Sequence, residues 1–455
     1  MTEVAAGRRE SASRVDPRWA TGGLVVSLAL VAAAFAVPPL LGWDVAPRGD
    51  DLAAAPTHGY WEPKIGLGTV PALALAALAV WRAERWASAW PWRRLLIMSY
   101  VAALAWLLSL ALVDGADGLT RAMGNNGEYL FTARQVDDVG LMLRTYVDRI
   151  PYAHPDNWRV HVAGHPPGAL LMFVGLVAVG LGDDLATALV VTAVAASMPA
   201  AVMVTLRVLS GERTARLVAP FLAFSPAAVF MAVSADAVFT VVAAWGLAAL
   251  AAAAVARRGP RMAAFAVLAG LLLGWCVMCS YGLPLLGIIA LGVLVLARSW
   301  WPLPIAAATA LAVVLGFAAA GFAWWEAYPV LVDRYWEGIA SERPATYWMW
   351  GNLAALLVSA GPLLGVGLAH AAGHIGHRRD PAIVRVLVLV GAAAIAIAVA
   401  DLSRMSKAEV ERIWLPFIPW LTLSLALLPA GWRRWGLALQ VGTALVVQHL
   451  LYTTW

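Results

Sequence analysis

The chain has 455 residues, of which 62% are hydrophobic and 13% charged, with a formal net charge of +5. Soluble domains carry roughly 25% charged residues, so there is too little polar surface here to cover a water-soluble body. Lys64 and Lys407 are the only lysines, and the arginine-borne positive charge points to membrane orientation rather than to nucleic-acid binding.

Residues 1–22 read as a polar cytoplasmic tail holding Arg8, Arg9, Arg14 and Arg18. An apolar stretch from Leu24 to Leu41 follows. Its Ala34-Phe35-Ala36 resembles a signal-peptidase site, but the stretch runs on to a full span, so an uncleaved anchor is expected. Apolar runs of about 20 residues, enough to cross a hydrocarbon core of about 30 Å, recur from there on. Residues 23–94 read as two spans joined by an exterior loop. They end in an interior loop with Arg82, Arg85, Arg93 and Arg94. A third span, Leu95 to Val113, leads out into the longest polar segment, 114–167.

Arginine clusters mark the later interior loops: Arg207, Arg213 and Arg216; Arg257, Arg258 and Arg261; Arg298; His377, Arg378 and Arg379; Arg433 and Arg434. Exterior turns fall near Ser234-Ala235-Asp236 and Tyr281, with longer exterior loops at Trp325–Trp350 and Asp401–Glu411. Ala169–Gly182 is short for a span and is expected to lie against or dip into the outer side. The expectation is an all-α polytopic membrane protein of about 13 transmembrane helices, the last in 429–455 with its C-terminal end outside. There is no repeat of two halves.

Ionisable groups are costly in a membrane and therefore informative. They concentrate in the 114–167 loop: Glu128, Asp137, Asp138, Asp148, His154, Asp156, Arg159, His161 and His165. Val136, Val139, Leu143 and Val147 recur at helical spacing and predict an amphipathic interfacial helix with Asp137 and Asp138 near its start. Capping of that helix accounts for the acidic pair equally well, and His165-Pro166-Pro167 also reads as a rigid helix entry. Cys276 and Cys279 are taken as small apolar residues on one helix face. His161 and His165 are four apart, with no obvious third metal ligand. The aromatic and charged stretch from Trp325 to Glu337 fits an interfacial belt or a sugar platform.

The order of these features resembles the GT-C membrane glycosyltransferases, above all the branch of protein O-mannosyltransferases and the lipid A aminoarabinose transferase. The resemblance rests on Asp137-Asp138 followed by His165-Pro166-Pro167, then Leu206–Arg213, Phe224-Ser225-Pro226, Ala235-Asp236-Ala237 and Glu411–Pro419. It covers about Leu95 to Leu428, a GT-C-like core with its catalytic loop at 114–167. Asp138 stands where the family has glutamate, Gly168 follows the prolines, and two extra spans precede the core.

The resemblance implies an inverting transfer of a sugar from a polyprenyl-phosphate donor to a hydroxyl of a glycan, glycolipid or protein acceptor. The reaction would take place on the extracytoplasmic side of a multi-pass cell-membrane protein. It implies Asp137 or Asp138 as general base, with His165 and Arg412 on the donor phosphate. Glu128, His161, Asp236 and Glu411 are further candidates. No cofactor is expected, although a divalent metal on the acidic pair stays open. Asp50 and Asp51 are an alternative acidic pair. A transporter or lipid flippase is the competing reading, and a cell-envelope scaffold is a third; the flippase would place its ionisable groups at mid-membrane depth.

Overall fold

The computed structural model describes residues 15–48, 54–376 and 380–452. Most of the N-terminal tail, the pair Asp50–Asp51 and the cluster 377–379 lie outside the described residues.

Seven helices among the described residues are long and apolar enough to cross a membrane: Arg18–Leu41, Trp92–Asp114, Asp184–Ser210, Ala235–Val255, Pro260–Cys279, Pro302–Ala319 and Pro381–Leu402. The bent pair Ala345–Ala360 and Leu363–Gly373 makes an eighth if taken as one span. Shorter apolar helices occupy Pro167–Ala178, Leu283–Ala297 and Ile418–Leu427. The chain is an all-α polytopic membrane protein, and its only sheet among the described residues pairs Tyr60–Trp61 with Leu451–Tyr452. The Ala169–Gly182 stretch forms a helix of 12 residues, short for a span.

The bent pair turns through 107° at Gly361, whose φ of +82° suits only glycine. A helix end inside a bundle leaves carbonyls in need of partners. Here Gln440 Nε2 donates to Ala360 O at 2.7 Å. The helix Arg18–Leu41 lies across this pair at a contact only glycine permits. A Cβ on Gly23 would sit 2.6 Å from Gly365 O. This first helix ends at Gly42 in the left-handed conformation, with Trp43 N donating to Pro38 O, and turns the chain into an ordered stretch at 43–48.

The amphipathic helix of the 114–167 loop is shorter than its periodicity predicts, covering only Val139–Arg144. Tertiary partners end it. Trp158 takes the carbonyls beyond, donating its indole N–H to Tyr146 O at 2.9 Å and its main-chain N–H to Arg149 O at 2.8 Å. Arg334, buried on the helix Trp324–Glu337, donates to the carbonyls of Ile150 and Trp158 and ties the two segments together.

Candidate active site

The site is assembled from helix ends. The chain turns at Asn125, where Glu128 N donates to Asn125 O, and Glu128 then precedes the short helix Tyr129–Ala133. Tyr129 stacks on Phe173 with centroids 5.5 Å apart and meets His165 edge-on at 5.8 Å, which brings Glu128 beside the histidine segment. His161 lies on the single turn Val160–Ala163. His165 precedes Pro166 and Pro167, and Pro167 starts the next helix. Tyr146 donates its hydroxyl proton to Val162 O and His165 O, at 2.8 and 3.0 Å, and fixes this turn from behind.

Asp236 sits in the first turn of Ala235–Val255, where the helix N-terminus favours an anion. Ser234 caps the same helix, accepting from Asp236 N. Arg412 comes from the opposite direction on the turn Val410–Ile413. Its Nη1 donates to Asp236 Oδ2 at 3.0 Å and its Nη2 to Glu409 Oε2 at 3.4 Å. Asp236 is 5% exposed and Arg412 4%. Breaking a pair buried to this degree strands a charge, so both partners are needed for either to persist.

Hydrogen bonds fix the tautomers. Arg412 Nη2 can only donate, so His161 Nδ1, 3.3 Å away, is the acceptor. The ring proton of His161 is then on Nε2, 3.3 Å from Glu128 Oε1. His165 Nδ1 donates to His161 O at 2.9 Å, leaving Nε2 with its lone pair. Glu128, His161, Arg412 and Asp236 thus form one connected chain.

Burial shapes the titration. It pushes the Glu128 carboxyl up to about 7 against the opposing pull of Arg412, and pushes Glu411 up to about 7. Burial lowers both His161 and His165 to about 4, with Arg412 adding to it at His161 and Asp236 opposing it at His165, so both are neutral at pH 7. Glu409 is raised by burial, but His58, Arg412 and Arg343 outweigh this and hold it at about 2. Arg412 is held above its ordinary value, because Asp236, Glu409 and Glu128 outweigh burial.

The backbone is strained around the ion pair. Ala408 and Glu409, leading into Arg412, have φ of 66° and 60°, and Val233, leading into Asp236, has φ of 55°. None is glycine, and Val233 is β-branched, for which this region is a genuine outlier. Such strain persists only where surroundings over-determine it, and it clusters at functional sites. One of the surrounding restraints is Asn352, which accepts from Ala408 N at 3.1 Å and donates to Asp401 Oδ1 at 2.8 Å and to Ser406 O at 3.0 Å.

Of the residues singled out in the sequence, Glu128, His161, His165, Asp236, Glu411 and Arg412 come together here. Asp137 and Asp138 are exposed, and Asp138 Oδ1 caps the Val139–Arg144 helix, accepting from Leu141 N at 2.9 Å. Sequence reasoning missed Glu409, three residues before Arg412 and on the same turn of chain, and it missed His58, Arg343 and Tyr129. Among the described residues no group of three or more His, Cys, Asp or Glu is placed to hold a metal ion.

No family model matches the chain, and no curated protein matches it. Solved structures of the Archaeoglobus fulgidus oligosaccharyltransferase are similar to it. The complex with Zn and sulfate has a TM-score of 0.46 and 13% identity, covering 78% of this chain and 52% of that one. The apo form has a TM-score of 0.43 and 12% identity, covering 73% and 50%. The complex of archaeal oligosaccharyltransferase AglB with an inhibitory peptide and a dolichol-phosphate has a TM-score of 0.37 and 11% identity, covering 91% and 50%. The chain spans about half the length of these structures.

Proposed function

We propose that the chain is a GT-C-type membrane glycosyltransferase. It would move a sugar from a polyprenyl-phosphate donor to an acceptor hydroxyl of a glycan, glycolipid or protein on the outer face, with inversion at the anomeric carbon. The observation that carries this reading is the strained, ion-paired chain Glu128–His161–Arg412–Asp236, built where apolar helices end. Charges at helix ends rather than at mid-membrane depth suit chemistry on a lipid headgroup better than passage through the bilayer.

In this reading Glu128 is the general base. A carboxyl raised to about 7 is matched to proton abstraction near neutral pH. His161 Nε2–H holds Glu128 Oε1, leaving the carboxylate oriented for the acceptor. The acceptor oxygen attacks the anomeric carbon as Glu128 takes its proton. The bond from that carbon to the phosphate oxygen breaks, and the polyprenyl phosphate leaves with the electron pair. Arg412 stabilises the departing phosphate, and no proton need be given to so weak a base; His165, whose one ring N–H is held by His161 O, lines the pocket as a neutral acceptor. The exposed setting of Asp137 and the capping bond of Asp138 favour Glu128 over the acidic pair.

The test is transfer of labelled sugar from a polyprenyl-phosphate donor to membrane acceptors. Glu128→Gln keeps the shape and lowers transfer about 100- to 10,000-fold, while Asp137→Asn and Asp138→Asn run near the parent rate. Normal transfer by Glu128→Gln with loss in Asp137→Asn returns the base to the acidic pair. Normal transfer by all three removes the reading's centre.

A further inference from the structure

The segment between the helices Arg18–Leu41 and Trp92–Asp114 contributes a wall of the site. The loop between them is stitched to the catalytic turn by hydrogen bonds that cross most of the chain. His58 N donates to Glu411 Oε1 at 2.9 Å, and Glu411 is 1% exposed. His58 Nδ1 donates to Pro47 O at 3.1 Å. Arg343 reaches the same carbonyl at 3.0 Å with Nη2 and Ala46 O at 3.0 Å with Nε. Arg343 Nη1 and Lys407 Nζ then donate reciprocally to Lys407 O at 2.6 Å and Arg343 O at 2.7 Å. Trp348 Nε1 adds a bond to Val45 O at 2.8 Å.

These contacts converge on Glu409. His58 Nδ1 lies 4.0 Å from Glu409 Oε1, Arg343 Nη2 lies 3.8 Å from the same oxygen, and Oε2 accepts from Arg412. Glu409 stands in a left-handed conformation that does not maintain itself. A side chain that shapes one face of its carboxylate therefore helps decide where the Arg412 guanidinium points.

We propose that His58 is a positioning residue of the donor site, acting through Glu409 on Arg412, and that the loop carrying it belongs to the active site. This rests on the reading of Arg412 as a phosphate-binding group.

The test compares His58→Ala with His58→Asn in the full-length protein, since an asparagine amide nitrogen can stand near the position of Nδ1 and still donate to Pro47 O. Loss of one neutral hydrogen bond weakens binding by about 2- to 13-fold. His58→Ala is expected to raise the donor KM within that range with kcat nearly unchanged, and His58→Asn to restore it. Binding of sugar-free polyprenyl phosphate, followed by native mass spectrometry, should weaken in parallel. In a Glu409→Gln background His58→Ala should have no further effect, because the two act in series. An unchanged KM in His58→Ala, a loss confined to kcat, or effects that add in the double variant would overturn the proposal. A parent that binds polyprenyl phosphate but transfers no sugar overturns the glycosyltransferase reading, and the binding comparison then decides the role of His58.

Discussion

Two sets of carboxyl groups share the same end of this protein and have opposite environments. Asp137 and Asp138 are exposed at the start of a helix of six residues, one of them spent on a cap. Glu128 and Glu411 are almost fully enclosed and titrate near neutrality, and Asp236 is enclosed against a guanidinium. The adjacent acids are the more conspicuous in the sequence; the separated ones are those the fold encloses among other charges. An exposed carboxyl keeps its hydration and does little but cap, whereas a buried one is strongly coupled to whatever surrounds it.

The largest effect expected from this contrast is on stability. Arg412→Ala leaves Asp236 buried without its partner and should destabilise the protein by about 3–5 kcal/mol, read as a lower unfolding temperature in detergent. Asp236→Asn combined with Arg412→Ala should recover much of that loss. If the single variant is as stable as the parent, the pair is hydrated and the contrast collapses.

The pH dependence of stability comes next. Glu128 and Glu411 hold their protons up to about pH 7 when folded, against an ordinary 4.5, so the unfolded chain releases them first. Their contribution to stability therefore falls as pH rises between about 4.5 and 7. His161 and His165, held at about 4 against 6.5, act in the other sense: stability falls as pH drops through that window. The two trends oppose one another between pH 4.5 and 6.5. Glu128→Gln removes one of the carboxyl contributions, so its unfolding temperature relative to the parent should be higher at pH 8 than at pH 5. An equal offset at both would place Glu128 in water.

The smallest effect belongs to the exposed pair. Asp138→Ala removes a helix cap worth about 0.5–2 kcal/mol and should loosen amide-hydrogen protection over 141–144 without touching transfer. Asp137→Asn should do neither.

The sequence shows much of the frame and part of the site. Apolar length locates the long helices, seven or eight among the described residues where about 13 spans are expected. Of Asp137, His165, Asp236 and Arg412, which arginine placement puts on one face, the last three come together and Asp137 stays exposed. Helical periodicity over 136–147 overstates the helix, because it cannot register that Trp158 claims the carbonyls of Tyr146 and Arg149. Nor does spacing tell a buried acid from an exposed one in the same loop. Glu128 is enclosed because Tyr129 stacks on Phe173, a contact made only after the chain has doubled back. His58 reaches Glu411 across 353 positions, a distance at which no local pattern is informative.

The short pairing of Tyr60–Trp61 with Leu451–Tyr452 has a consequence for biogenesis. Glu62 N and Lys64 N donate to Leu450 O and His449 O, Lys64 pairs with Asp114 at 2.5 Å, and Gln448 donates to the same aspartate at 2.7 Å. The loop that carries His58 is thus tied down by residues made almost 400 positions later. While the chain emerges into the bilayer, Asp114 is the first of these partners to be made. The strand pairing and the Gln448 bond can form only once residues 448–452 have arrived.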